Sequence, residues 1–146
     1  MAETIHSEAV VAAFKRVSQA LIDNSTFLTS LDQAMGDGDM GINMERIGTA
    51  LQEYISATAI EDIGKYFAGA GMATNRAAPS TMGTLMATAI MRAGKEVMGK
   101  TELTAADLAA MLKAAFIGMQ ERGKAQLGNK TILDALYPAS VAFDKA

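Results

Sequence analysis

Three carboxylates and three glycines fall within ten residues of this chain, at Asp32, Gly36, Asp37, Gly38, Asp39 and Gly41. Asp37 and Asp39 are separated by one glycine, and Asp32 lies five residues upstream. Ionised carboxylates crowded in this way repel one another and hold protons more tightly unless a cation offsets the charge. A hard divalent ion suits the donor set. Mg²⁺ takes oxygen ligands in near-octahedral geometry, uses few carboxylates and keeps positions for water and phosphate oxygens. The glycines allow positive φ and close approach of the backbone to a ligand. The competing reading is a solvated acidic turn, where Asp and Gly are common for local hydrogen-bonding reasons.

Two sharper motifs fail on the same stretch. Gly36-x-Gly38-x-x-Gly41 has the spacing of a dinucleotide fingerprint, but that motif follows a strand, whereas a helical segment precedes this one, and aspartates there would repel a pyrophosphate. An EF-hand loop starting at Asp37 requires Asp or Asn at its fifth position, Gly at its sixth and Glu at its twelfth, and the chain has Gly41, Ile42 and Gly48.

The elements that must position the aspartates are helical. Val10, Phe14, Val17 and Leu21 recur on one face of a first helix over about Thr4–Ile22, with His6 solvated at its start and no acidic partner in view. Asn24 or Ser25 caps a short second helix that runs to about Ala34 and delivers Asp32 to the loop. A third helix starts between Gly41 and Asn43, reaches about Ala57 and buries Met44, Ile47, Leu51 and Ile55. Its first turn meets the acidic loop, where free N–H groups and the helix dipole favour phosphate.

A fourth helix spans about Ile60–Thr74, and an irregular small-residue turn over Asn75–Thr84 leads into a fifth that ends near Val97. Ser80 or Thr81 either caps that fifth helix or presents a hydroxyl to phosphate. Thr104 and Asp107 have capping-box spacing ahead of a sixth helix over about Ala105–Arg122, and a last one covers about Lys130–Phe143. Gly123-x₄-Gly128-Asn129-Lys130-Thr131 is a P-loop with one residue inserted, but it follows a helix rather than a strand, which excludes a Walker site.

The chain has 146 residues, half of them hydrophobic, two prolines and eleven methionines, which points to one all-α domain. The methionines of the sixth helix read as core filler. Without cysteine there is no disulfide framework and no thiolate metal site. A formal charge of −3 argues against a nucleic-acid partner. No apolar run reaches the length of a membrane span and no basic leader precedes one, so a cytoplasmic location is expected.

Asp32 with Gly36-Asp37-Gly38-Asp39-x-Gly41-x-Asn43-Met44 closely resembles the metal loop of the nucleotide-binding L subunit, or L domain, of dihydroxyacetone kinases. Arg122-Gly123-Lys124-Ala125, followed by Gly128-Asn129-Lys130-Thr131 and Ile132, resembles the second signature of that family. The resemblance implies an antiparallel helical barrel or bundle of six to seven helices, shorter than the family's eight-helix barrel. Residues 1–146 would form a single domain without the family's C-terminal segment. It further implies Asp32, Asp37 and Asp39 as ligands of two Mg²⁺ ions, and ATP or ADP held by Met40, Gly41, Ile42, Asn43, Ser80, Thr81, Gly123 and Ile132.

The implied activity is phosphoryl transfer to a small ketose carried by a partner K subunit, with ATP or a phosphotransferase-system protein as phosphoryl donor. Four positions depart from the family: Met40 replaces a His, Asn129 an Asp, and Ala77-Ala78 a Ser-Gly pair. Met40, the altered Ala77-Ala78 turn and the expected lack of the C-terminal segment keep open a non-catalytic regulatory module, and a kinase for a fatty acid or polyol is a further alternative. An apolar seam between the last and first helices would be covered by a homodimer or by the partner.

Overall fold

A computed structural model describes residues 3–146. Seven helices make up most of it: α1 (Ser7–Asp23), α2 (Ser25–Gln33), α3 (Met40–Ala57), α4 (Ile63–Ala77), α5 (Thr81–Lys95), α6 (Ala105–Gly123) and α7 (Leu133–Lys145). Short connections stack successive helices as an up-and-down bundle. The packing order is α1, α3, α4, α5, α6, α7, with α2 laid against α3. No helix among the described residues is long and apolar enough to cross a membrane.

The chain start corrects the first expected helix. Ile5 and His6 form β1, which pairs antiparallel with β2 (Glu102–Leu103) in the register Ile5 with Leu103 and His6 with Glu102. α1 therefore begins at Ser7 rather than Thr4. His6 also has an acidic partner after all: its Nδ1 lies 3.1 Å from Oε1 of Glu102. That pairing was invisible in the sequence because the two residues are brought together only by the ladder.

The buried face of α1 is rotated from the expected one. Val10 and Phe14 are buried as anticipated, but Val17 is 52% exposed and the core position is taken by Ser18, at 0%. The cause is a close helix crossing. Gly48 of α3 brings the two backbones so near that a Cβ there would sit 2.6 Å from the carbonyl oxygen of Ser18. Only small residues fit at such a crossing, and the Ser18 hydroxyl satisfies itself on the Lys15 carbonyl at 2.9 Å.

α3 buries Met44, Ile47, Leu51 and Ile55, as its periodicity predicts. These meet Val10, Phe14, Ile63, Tyr66, Val97 and Leu103 in one core. Phe14 stands edge-on to both Tyr66 and Phe67, with ring centroids 5.5 and 4.9 Å away. A second, smaller cluster joins Phe116 and Met119 of α6 to Leu133 of α7, under Leu85 and Met86 of α5.

Helix ends follow local chemistry. Asp62 caps α4 by accepting from the Lys65 amide at 3.0 Å, which moves the start of α4 from Ile60 to Ile63. Thr104 and Asp107 form the expected reciprocal capping box at α6. Asn24 does not cap α2 with its side chain, which instead donates back to the Ala20 carbonyl at 2.8 Å.

Candidate metal and nucleotide site

The acidic loop joins α2 to α3. Asp32 stands in the last turn of α2, and Asp39 immediately precedes α3. One carboxylate oxygen from each of Asp32, Asp37 and Asp39 lies within 4.8 Å of the others. The three residues singled out by sequence are thus brought together, Asp32 half-buried and the other two exposed.

Two backbone bonds set the geometry of the loop. Asp32 Oδ2 accepts from the Met40 amide at 3.1 Å, and Asp37 Oδ1 accepts from the Asp39 amide at 3.3 Å. Of the three glycines, only Gly38 has the expected positive φ, at 77°. Gly41 is needed for another reason. It sits in the first turn of α3, pressed against α2, where a Cβ would collide with the Ser25 carbonyl and the Thr29 hydroxyl. Its missing side chain lets α2 and α3 approach closely enough for Asp32 to reach the start of α3.

The electrostatics fit a cation. The Asp39 carboxyl binds its proton more tightly than usual, first because its surroundings are partly desolvated, then because Asp37 shares a hydrogen bond with it and adds negative charge, as does Asp32. The buried Asn43 side chain opposes this by hydrogen bonding to the charged form. The three ion pairs found among the described residues all lie elsewhere. Hard oxygen donors that repel one another, with no protein cation paired to them, match the ligand preference of Mg²⁺.

A cleft of about 880 Å³ opens beside the loop. Asp39 forms one part of its wall, Ser80, Thr81 and Thr84 another, and Arg122 with Gly123 a third. Ser80 answers the open question about the turn: it caps α5, its Oγ accepting from the Gly83 amide at 3.1 Å, while it also lines the cleft. Thr81 is free to face a ligand. The expected irregular turn is shorter than predicted, because α4 continues through Asn75 and Arg76 to Ala77. The helical Asn75 lines the cleft too, as does Leu85, against which Gly123 packs. Neither was chosen from the sequence, since an Asn late in a helix and a Leu in an apolar run carry no local mark of a site.

Met40, Ile42 and Ile132 do not line this cleft. Met40 packs in part against the main core, whereas Ile42 faces a separate hollow with Glu45 and Arg46. Ile132 precedes α7 and is 39% exposed. Gly41 and Asn43 are buried beneath the loop, and helix geometry leaves the amides of Gly41 and Ile42 without partners inside α3.

The loop that looks like a P-loop is filled by a side chain. Asp134 Oδ1 accepts from the Gly128 amide at 2.6 Å and Oδ2 from the Thr131 amide at 3.0 Å. Those two bonds, the Gly128 one first, hold the Asp134 carboxyl below its usual range. Amides that would cradle a phosphate in a Walker site are occupied here by a carboxylate. Asn129 accepts from the Gln126 amide at 2.8 Å, a bond that its amide oxygen makes as an Asp would. Lys130 adopts left-handed backbone with φ 59°, so α7 starts at Leu133 and not at Lys130.

Comparison with known proteins fits this arrangement. The DAK2 domain family matches residues 34–146. The chain is 33% identical over 143 residues to the ADP-binding subunit DhaL of PEP-dependent dihydroxyacetone kinase 2 from Listeria innocua, covering 94% of this chain and 65% of that protein. It is 32% identical over 129 residues to the ADP-binding subunit DhaL of the PEP-dependent dihydroxyacetone kinase of Escherichia coli, covering 88% of this chain and 61% of that one. The chain thus spans under two thirds of the length of these relatives. The crystal structure of the dihydroxyacetone kinase of C. freundii superposes with a TM-score of 0.80 at 24% identity, over 97% of this chain and 26% of that chain, and so shares the fold. With a match over most of its length, the chain belongs to the DAK2 domain family.

Proposed function

We propose that this chain is the Mg-nucleotide-binding component of a dihydroxyacetone-type kinase, working with a partner K subunit that holds the small ketose. The observation that carries the reading is the convergence of the Asp32, Asp37 and Asp39 carboxylates at the edge of a cleft lined by Ser80 and Thr81. Three of the curated relatives are named as ADP-binding subunits of PEP-dependent kinases, which favours ADP as the resident nucleotide. In those kinases PEP is the named phosphoryl source, and a phosphotransferase-system protein is the proposed donor to this subunit. A cytoplasmic location accords with these partners.

In this reading Asp32, Asp37 and Asp39 hold Mg²⁺, two ions if the family pattern is kept. The metal supplies charge neutralisation on phosphate oxygens, which is most of what phosphoryl transfer asks of a site. The chain's own residues do the positioning. The Met40 amide fixes Asp32, Asn43 fixes Asp39, and the Ser80 and Thr81 hydroxyls donate to phosphate oxygens beside the N-terminus of α5. Gly123, lying flat against Leu85, leaves room for the base. Residues 1–146 act as one domain in this scheme.

Calorimetric titration of ADP with and without Mg²⁺ tests the binding claim. Metal-dependent binding is expected, and the absence of any ADP binding with Mg²⁺ present would refute it. Phosphorylation of dihydroxyacetone on mixing with a K subunit and donor tests the catalytic claim.

A further inference from the structure

Among the described residues, Arg122 is the one cation lining the cleft beside the acidic loop. It is exposed in the last turn of α6, and its nearest carboxylate in sequence is already engaged: Glu121 Oε2 accepts from Arg92 at 2.7 Å. None of the three ion pairs found among the described residues includes Arg122. A cation in the last turn of a helix is favoured by the dipole wherever around the helix it points. The dipole therefore accounts for a basic residue near position 122 but not for its place in the wall shared with Asn75, Ser80 and Thr84.

Charge balance supplies the reason. Three aspartates and a nucleoside diphosphate carry more negative charge than two divalent ions supply, so a further cation at the phosphates lowers the energy of the bound state. A guanidinium is suited to this, because its fork of donors matches phosphate oxygens in pairs and it stays charged at all working pH values. Resting on the nucleotide reading above, we propose that Arg122 grips the phosphate chain of the bound nucleotide, as a second anchor separate from the aspartates and their metal.

The test uses calorimetry on the full chain with Mg-ADP and with adenosine, at low and moderate salt. Arg122→Gln should weaken Mg-ADP by about tenfold or more and flatten the salt dependence, with adenosine changed by less than about twofold. Arg122→Lys should recover part of the loss, because it keeps the charge and not the fork. Both variants should unfold at the wild-type midpoint, since the side chain is exposed. Unchanged Mg-ADP affinity in Arg122→Gln, or equal losses for Mg-ADP and adenosine, would overturn the phosphate assignment while leaving the nucleotide reading intact. Failure of the wild type to bind Mg-ADP would overturn both.

Discussion

The backbone amide of Met40 donates to Oδ2 of Asp32 at 3.1 Å, so a carboxylate of the acidic set also closes the N-terminus of α3. Asp32 therefore has two duties, and Asp37 has mainly one. Asp37→Ala should abolish Mg-dependent ADP binding while leaving the unfolding midpoint unchanged or raised, because it relieves repulsion. Asp32→Ala should abolish binding and also cost about 1 kcal/mol of stability, the usual loss when a side-chain acceptor at a helix start is removed. Calorimetry and urea unfolding on the two variants separate the roles; equal stabilities would show that the Met40 bond contributes nothing.

Met40 stands where the family resemblance leads one to expect His, and here it packs partly against the core. A thioether neither donates hydrogen bonds nor favours Mg²⁺. Met40→His should bind Mg-ADP equally or more tightly, and it should lose about 1 kcal/mol of stability through poorer packing. A drop in affinity beyond about tenfold would mean that the site is organised around the methionine.

The Asp134 carboxyl is held low by the Gly128 and Thr131 amides. A folded-state pKa below the unfolded one means that the stability gained is fully present above about pH 4 and is lost as pH falls through the folded value. Asp62, held low chiefly by the Lys65 amide, and Asp107, chiefly by Lys100, act in the same direction. Asp134→Asn should flatten the acid limb of a stability curve recorded by urea unfolding between about pH 2 and 5. It should also loosen the loop between α6 and α7, seen as faster amide exchange at Gly128 and Thr131.

Two tyrosines in contact differ in what their hydroxyls do. The Tyr54 hydroxyl donates to the Tyr66 carbonyl at 3.0 Å, whereas the buried Tyr66 hydroxyl has no partner among the described residues. Tyr66→Phe should be neutral or stabilising, because it removes an unsatisfied polar group, while Tyr54→Phe should cost about 1 kcal/mol. Urea unfolding decides between them, and a marked loss in Tyr66→Phe would reveal a partner for its hydroxyl.

Legibility in the sequence tracked how local each determinant was. The α3 stripe of Met44, Ile47, Leu51 and Ile55 and the Thr104–Asp107 capping box were readable because each is settled within a few turns of one helix. The aspartate cluster was readable for the same reason, all three residues lying at the single junction of α2 with α3. Val17 was misplaced because Gly48, far away in chain order, dictates which face of α1 can approach α3. β1 was missed because a two-residue strand has no periodicity of its own and exists only through Glu102 and Leu103. In the cleft, Asn75, Leu85 and Arg122 come from three helices, and no spacing along the chain marks their convergence.

The two-residue ladder also sets an order of events. Nearly every other large contact joins helices that are neighbours, or next neighbours, along the chain, whereas Ile5 must find Leu103 across most of a hundred residues. Closing so long a loop carries an entropic penalty that a two-residue pairing repays poorly until the helices between have docked. The chain should therefore assemble by successive hairpin-like steps, with the β1–β2 clasp the last piece to lock and the first to open. Breathing of the native state should begin there, at the start of α1, and not at the acidic loop, so the three clustered carboxylates stay assembled while that edge of the bundle fluctuates.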